Sequence, residues 1–95
     1  MAKLKTSAVD RESAEALALQ GLTFLAGDVQ RLTRFLSLTG LGPGDLRSWS
    51  EKPHLQAAVL EHLLGDESLL LVFAAETGTA PEAIGPAHAL LAASA

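Results

Sequence analysis

The sequence predicts an all-α fold: a compact bundle of about six short helices, built as two pseudo-symmetric three-helix units over 22–46 and 60–84. Three observations carry this. First, 48% of the 95 residues are apolar, mostly Ala and Leu, and only 4% are aromatic. Ala and Leu are the strongest helix formers, whereas strands favour the β-branched and aromatic residues scarce here. Second, Gly, Asp and Pro fall where helices close and open. Third, one segment is written twice at a constant offset of 38: "LTFLAGDVQRLTRFLSLTGLGPGDL" (22–46) over "LEHLLGDESLLLVFAAETGTAPEAI" (60–84). The offset pairs Leu22/Leu60, Leu25/Leu63, Gly27/Gly65, Asp28/Asp66, Leu32/Leu70, Phe35/Phe73, Thr39/Thr77, Gly40/Gly78 and Pro43/Pro81.

A first helix over 10–26 ends at Gly27, and a second over 28–39 starts from Asp28, whose carboxylate suits the free N–H groups of a first turn. Gly27 and its counterpart Gly65 are expected in the left-handed conformation that closes a helix. Gly40 closes the second helix, and Pro43 opens a third over 43–51, where its missing N–H costs nothing. Lys52-Pro53 separates the copies. Helices over 53–64, 66–77 and 81–92 follow with the same punctuation, and "TAPE" at 79–82 reads as a capping box from Thr79 to Glu82. The i, i+3, i+4 spacing turns Leu22, Leu25, Leu32, Phe35, Leu60, Leu63, Leu70 and Phe73 inward as the core. Residues 1–9 read as a disordered N-terminus and 10–95 as a single helical domain.

Composition excludes several function classes. There is no cysteine, so disulfide and thiolate chemistry are absent, and zinc would depend on His and carboxylates. Lys3 and Lys5 have no apolar stretch behind them, unlike a secretory signal. The longest apolar run, 69–75, is seven residues, against the ~20 of a membrane span. A cytoplasmic protein without membrane association is the expectation. The net charge of −4 divides unevenly: six basic and five acidic residues in 1–47, one basic and six acidic in 48–95.

"ALALQGLTFLAGD", "RFLSLTGLGPGDLR" and "AVLEHLLGDESLLLVFA" resemble a family of short alphaproteobacterial proteins catalogued as a domain of unknown function. The resemblance covers residues 13–90. It implies a small helical bacterial protein and supplies no catalytic or binding residues.

Among candidate sites, a helix-turn-helix is the sharpest. Phe35, Gly40, Leu41, Leu46 and Trp49 match the apolar and glycine spacing around such a turn, as do Phe73, Ala74, Gly78 and Ile84. Two helices joined steeply by four residues produce the same spacing without any DNA. A recognition helix needs basic and amide side chains; "PGDLRSW" offers one Arg and "PEAIGPA" none. Arg31, Arg34 and Arg47 form the candidate nucleic-acid patch, and the net charge opposes it.

His54, His62 and His88 are the three imidazoles. His54 and His62 lie about 12 Å apart along a helix at ~1.5 Å per residue, too far to share a metal unaided. Thr23, Thr33, Thr39, Thr77, Ser37, Ser48 and Ser50 read as caps or surface, and none sits in a nucleophile elbow. "GLGPG" at 40–44 lacks the Lys-Ser/Thr of a phosphate loop. The reading is non-catalytic, with no metal and no cofactor. Trp49 reads as a core plug, with a binding-site aromatic as the alternative.

The two copies differ on one face. Thr33, Arg34 and Ser37 lie opposite the core in the helix over 28–39. Their counterparts are Leu71, Val72 and Ala75, with Leu69 standing over Arg31 at the margin. A helix apolar all round must be covered on both sides. Either the 66–77 helix is central, or Leu69, Leu71, Val72 and Ala75 form a contact patch for another chain. The function expected is a small interaction module or homo-oligomer, with a helix-turn-helix regulator as the first alternative and an enzyme as the last.

Overall fold

The capping groups anticipated from sequence set most of the helix boundaries. The computed structural model describes residues 10–94; the disordered stretch expected at 1–9 lies outside them. Helix α1 (Arg11–Ala26) starts where the Asp10 carboxylate accepts the Ser13 N–H at 2.7 Å. Helix α2 (Val29–Thr39) starts at Asp28, which accepts from the Gln30 and Arg31 N–H groups. Helices α3 (Pro53–Leu64) and α4 (Glu67–Thr77) follow, α4 capped by Asp66 on the Leu69 N–H. Gly40 and Gly78 end α2 and α4 at φ 75° and 70°, the left-handed region that disfavours any side chain. The Thr39 and Thr77 hydroxyls donate to the Phe35 and Phe73 carbonyls at 2.7 and 2.8 Å.

Three local expectations are corrected. Gly27 and Gly65 are right-handed, at φ −72° and −79°. Their N–H groups bond back to the Thr23 and Glu61 carbonyls. Each chain bend is then completed by the extended Asp that follows, so no left-handed residue is needed. The third helix is a 3₁₀ run, Pro43–Glu51, kinked at Ser48. It is trapped between Pro43 and Pro53, and the residue before a proline is pushed out of the helical region; Lys52 lies at φ −129°, ψ 86°. None of its nine residues is fully buried; Trp49 packs partly against the core, and so shallow an apolar face does little to stabilise an α-helical register. The Thr79–Glu82 capping box is also absent. Ala80 is the cap, Thr79 Oγ1 pairs with the Thr77 hydroxyl at 2.8 Å, and a short 3₁₀ turn, Pro81–Ala83, runs into α5 (Ile84–Ser94). The described residues thus form six helical stretches and no strand.

Helices α1, α3 and α5 pack against one another as the core, with α2 and α4 laid against α1 and α3. The central element is α3, which buries Leu55, Gln56, Ala57, Val59, Leu60 and Leu63. Helix α1 meets it through a stripe of small residues, Ala14, Ala18 and Gly21. A Cβ at Gly21 would stand 2.8 Å from Val59 Cγ1, so the two backbones approach with no room for a side chain. Of the eight expected core residues, Leu25, Phe35, Leu60, Leu63 and Phe73 are fully buried; Leu22, Leu32 and Leu70 are partly buried against them.

Ring contacts cross between the copies reciprocally. Phe24 meets Phe73 edge-on at 5.4 Å, and His62 meets Phe35 edge-on at 5.2 Å. At the offset of 38, His62 is the counterpart of Phe24 and Phe73 that of Phe35. Gly21 and Val59, which touch, are themselves 38 residues apart.

Candidate functional site

The outer face of α4 is exposed. Phe73 and Ala74 turn inward, Leu69 and Leu70 lie partly buried against the core, and Leu71, Val72 and Ala75 face out. Leu71 is 50% and Val72 38% exposed. The helix wrapped on several sides is α3, not α4. Of the candidate patch, Leu71, Val72 and Ala75 lie at the surface, and Leu69 supports them from the core margin. Glu67 and Glu76, both exposed, flank the apolar pair along the helix.

Between α1 and α4, one turn beyond Val72, lies a hollow of about 320 Å³ lined by Leu19, Gln20, Thr23, Phe24, Glu76 and Thr77. Leu19 is 52% exposed. A second hollow, about 430 Å³, is lined by residues including Arg34, Leu38, Glu61, His62 and Asp66. The two correspond: Leu38, Glu61 and His62 are the counterparts of Glu76, Thr23 and Phe24. Where one copy places a phenyl ring, the other places an imidazole.

That imidazole is poorly served. His62 Nε2 is buried without a hydrogen-bond partner. Burial lowers the His62 pKa, the Arg34 charge lowers it further, and Asp66 opposes both. The fold therefore favours neutral His62, and as pH falls the unfolded chain takes the proton first. His62's contribution is complete above pH 6.5, the ordinary imidazole value, and is lost as pH falls below it. Urea-unfolding midpoints should accordingly decline on acidification from neutrality. Replacing His62 with Phe, the residue of the other copy, should flatten part of that decline. A His62 NMR titration midpoint at or above 6.5 would contradict the assignment.

The candidate nucleic-acid patch is divided among three settings. The Arg31 guanidinium lies 4.5 Å from the centre of the Phe24 ring, a cation–π contact within the fold. Arg34 lines the hollow beside Glu61 and Asp66. Arg47 is exposed on the 3₁₀ run. In that run successive side chains at i and i+3 eclipse, unlike those of a recognition α-helix, and α5 carries no Lys or Arg. His88 Nε2 stands 3.9 Å from Glu61 Oε1. Among the described residues no group of three or more His, Asp or Glu could hold a metal ion, and no helix is long and apolar enough to cross a membrane.

Gln56 does not stand out in the sequence. It is buried in the core at 2% exposure, and its Nε2 donates to the Trp49 carbonyl at 2.8 Å. The available signal is a lone amide inside "LQAAVLEHLL", at the position where the first copy has Ala18. Trp49 is half-buried, packed against the core at one edge of a third hollow.

No curated protein and no solved structure matches the chain. Residues 11–94 match the model of a family described as a protein of unknown function, DUF3572. The match spans the helical domain from the first residue of α1 to the last of α5, and the chain belongs to that family.

Proposed function

We propose that this domain is a small non-catalytic protein–protein interaction module of the cytoplasm, with the outer face of α4 as its contact surface. One observation carries the reading: Leu71 and Val72 are exposed on a helix whose counterpart presents Thr33 and Arg34 there. Aliphatic side chains grouped at the surface mark contact sites, and the neighbouring Leu19 hollow extends the apolar surface. The rim favours a different chain over a second copy. Glu67 and Glu76 would meet their own kind across a twofold, whereas a partner with a basic rim would complement them. A nucleic-acid role draws less support, because the three arginines occupy separate settings.

The test is Val72→Arg, which installs the first copy's residue. Because Val72 is partly exposed, the isolated domain should keep its helical signal and lose less than about 1 kcal/mol. Protein partners captured by the tagged wild type from its host should be depleted from the variant. A wild-type dimer by light scattering, reduced to monomer by the substitution, would assign the face to self-association instead. Unchanged mass together with an unchanged set of bound proteins would end the reading.

A further inference from the structure

The hollow of about 320 Å³ between α1 and α4 is edged by two helix ends. Leu19, Gln20, Thr23 and Phe24 belong to the C-terminal half of α1, and Glu76 and Thr77 close α4. A helix C-terminus carries partial negative charge, which a Lys or Arg in the last turn offsets; neither helix has one. Glu76 adds a full charge at the same place and takes part in neither ion pair of the described residues, Arg11–Glu15 and His88–Glu61. Arg31 is held on the Phe24 ring and does not line the hollow. The remaining wall is apolar or already satisfied. Leu19 is half exposed, and the Thr23 and Thr77 hydroxyls donate to the Leu19 and Phe73 carbonyls at 2.9 and 2.8 Å. We propose that the partner of the α4 face is an amphipathic helix of another protein that seats an apolar side chain in this hollow and turns a Lys or Arg beside that anchor toward Glu76. The inference rests on the reading of that face as a contact surface.

The backbone decides the partner's conformation. The described residues include no strand, so there is no sheet edge for an extended peptide to join. A partner must pair its own N–H and C=O groups, and a helix does so. The hollow lies at the small end of the ~300–1,000 Å³ of ligand pockets, a size for one anchoring side chain. Val72 stands four residues before Glu76 on α4, about 6 Å along the axis at ~1.5 Å per residue. An anchor in the hollow therefore places the partner's next apolar residue, at i+3 or i+4, over Val72. The pattern recognised is two apolar residues one turn apart with basic residues beside them.

The test is selection against the whole chain from a displayed library of random peptides of about 15 residues, the length at which a helix becomes stable. Enriched sequences should share the apolar pair and carry net positive charge. A synthetic copy should gain helical signal on binding and shift the backbone amide resonances of Gln20, Thr23 and Thr77. Leu19→Gln should weaken it at least about fivefold, and Glu76→Lys at least about threefold, with less dependence on salt. Both residues are exposed, and a basic residue suits the end of α4, so neither change puts folding at risk. No enrichment, acidic or extended binders, or indifference to both variants would overturn the proposal. Peptides that shift Leu71 and Ala75 but not Gln20, Thr23 or Thr77 would overturn it while leaving the α4 face as a contact surface. Shifts at the hollow that grow with the domain's own concentration, without peptide, would give it to a second copy instead.

Discussion

Replacing Gly21 with Leu is expected to cost about 3 kcal/mol or more, at the upper end of what overpacking a core does. Even the first added carbon would stand 2.8 Å from Val59 Cγ1 and 3.3 Å from Leu63 Cδ1. Leu63 can swing a methyl aside. Val59 cannot, because its β-branch restricts rotation; both side chains are fully buried. The only relief is separation of α1 from α3, which opens the central packing. Gly21→Ala meets the same contact but gains about 1 kcal/mol of helix propensity, so it should be milder. The diagnostic is a double-mutant cycle in urea. Val59→Ala alone should destabilise by opening a cavity; combined with Gly21→Ala it should cost less than the sum of the two. Strict additivity, or a Gly21→Leu variant as stable as wild type, would mean that the helices do not meet there.

Phe73→Ala should be the most damaging simple truncation on α4, about 3–5 kcal/mol. Phe73 is fully buried, and its ring supports Phe24 at 5.4 Å, which in turn carries Arg31. A domain of this size is stable by only about 5–15 kcal/mol in total, so the variant should lose a large share of its stability and unfold at a much lower denaturant concentration. Leu71→Ala, two residues earlier on the same helix, is the control. With Leu71 half exposed, its loss should cost under about 1 kcal/mol. Denaturant midpoints for the pair would separate the inner and outer faces of α4; similar midpoints would mean that Phe73 does not point into the core while Leu71 points out.

Much of the fold was legible in the sequence because its punctuation is chemical. Asp28 and Asp66 cap by hydrogen bonds that need only their own first turn, and Gly40 and Gly78 stop helices by a backbone conformation few other residues tolerate. These causes are local. What escaped was decided by neighbours. Whether α3 or α4 lies at the centre cannot be read from either helix, since both are apolar on most sides; the fold decides by what packs around α3. The 3₁₀ run shows a related limit. Its proline bounds were visible, but how shallowly it packs became evident only with the tertiary arrangement. Of the candidate patch, the residues were visible as a mismatch between the two segments, while their exposure was not. Gln56 is inconspicuous because an amide in an apolar helix looks ordinary until its buried oxygen is found without a donor.

The touching of Gly21 and Val59 also limits how the two central helices can change. A larger residue at 21 forces α1 away from α3, and a smaller one at 59 leaves a gap between them. Neither position is free to vary by itself: the sum of the two side-chain volumes, not either residue alone, fixes the distance between the helices. The seam therefore tolerates exchange of bulk from one helix to the other more readily than a change in the total.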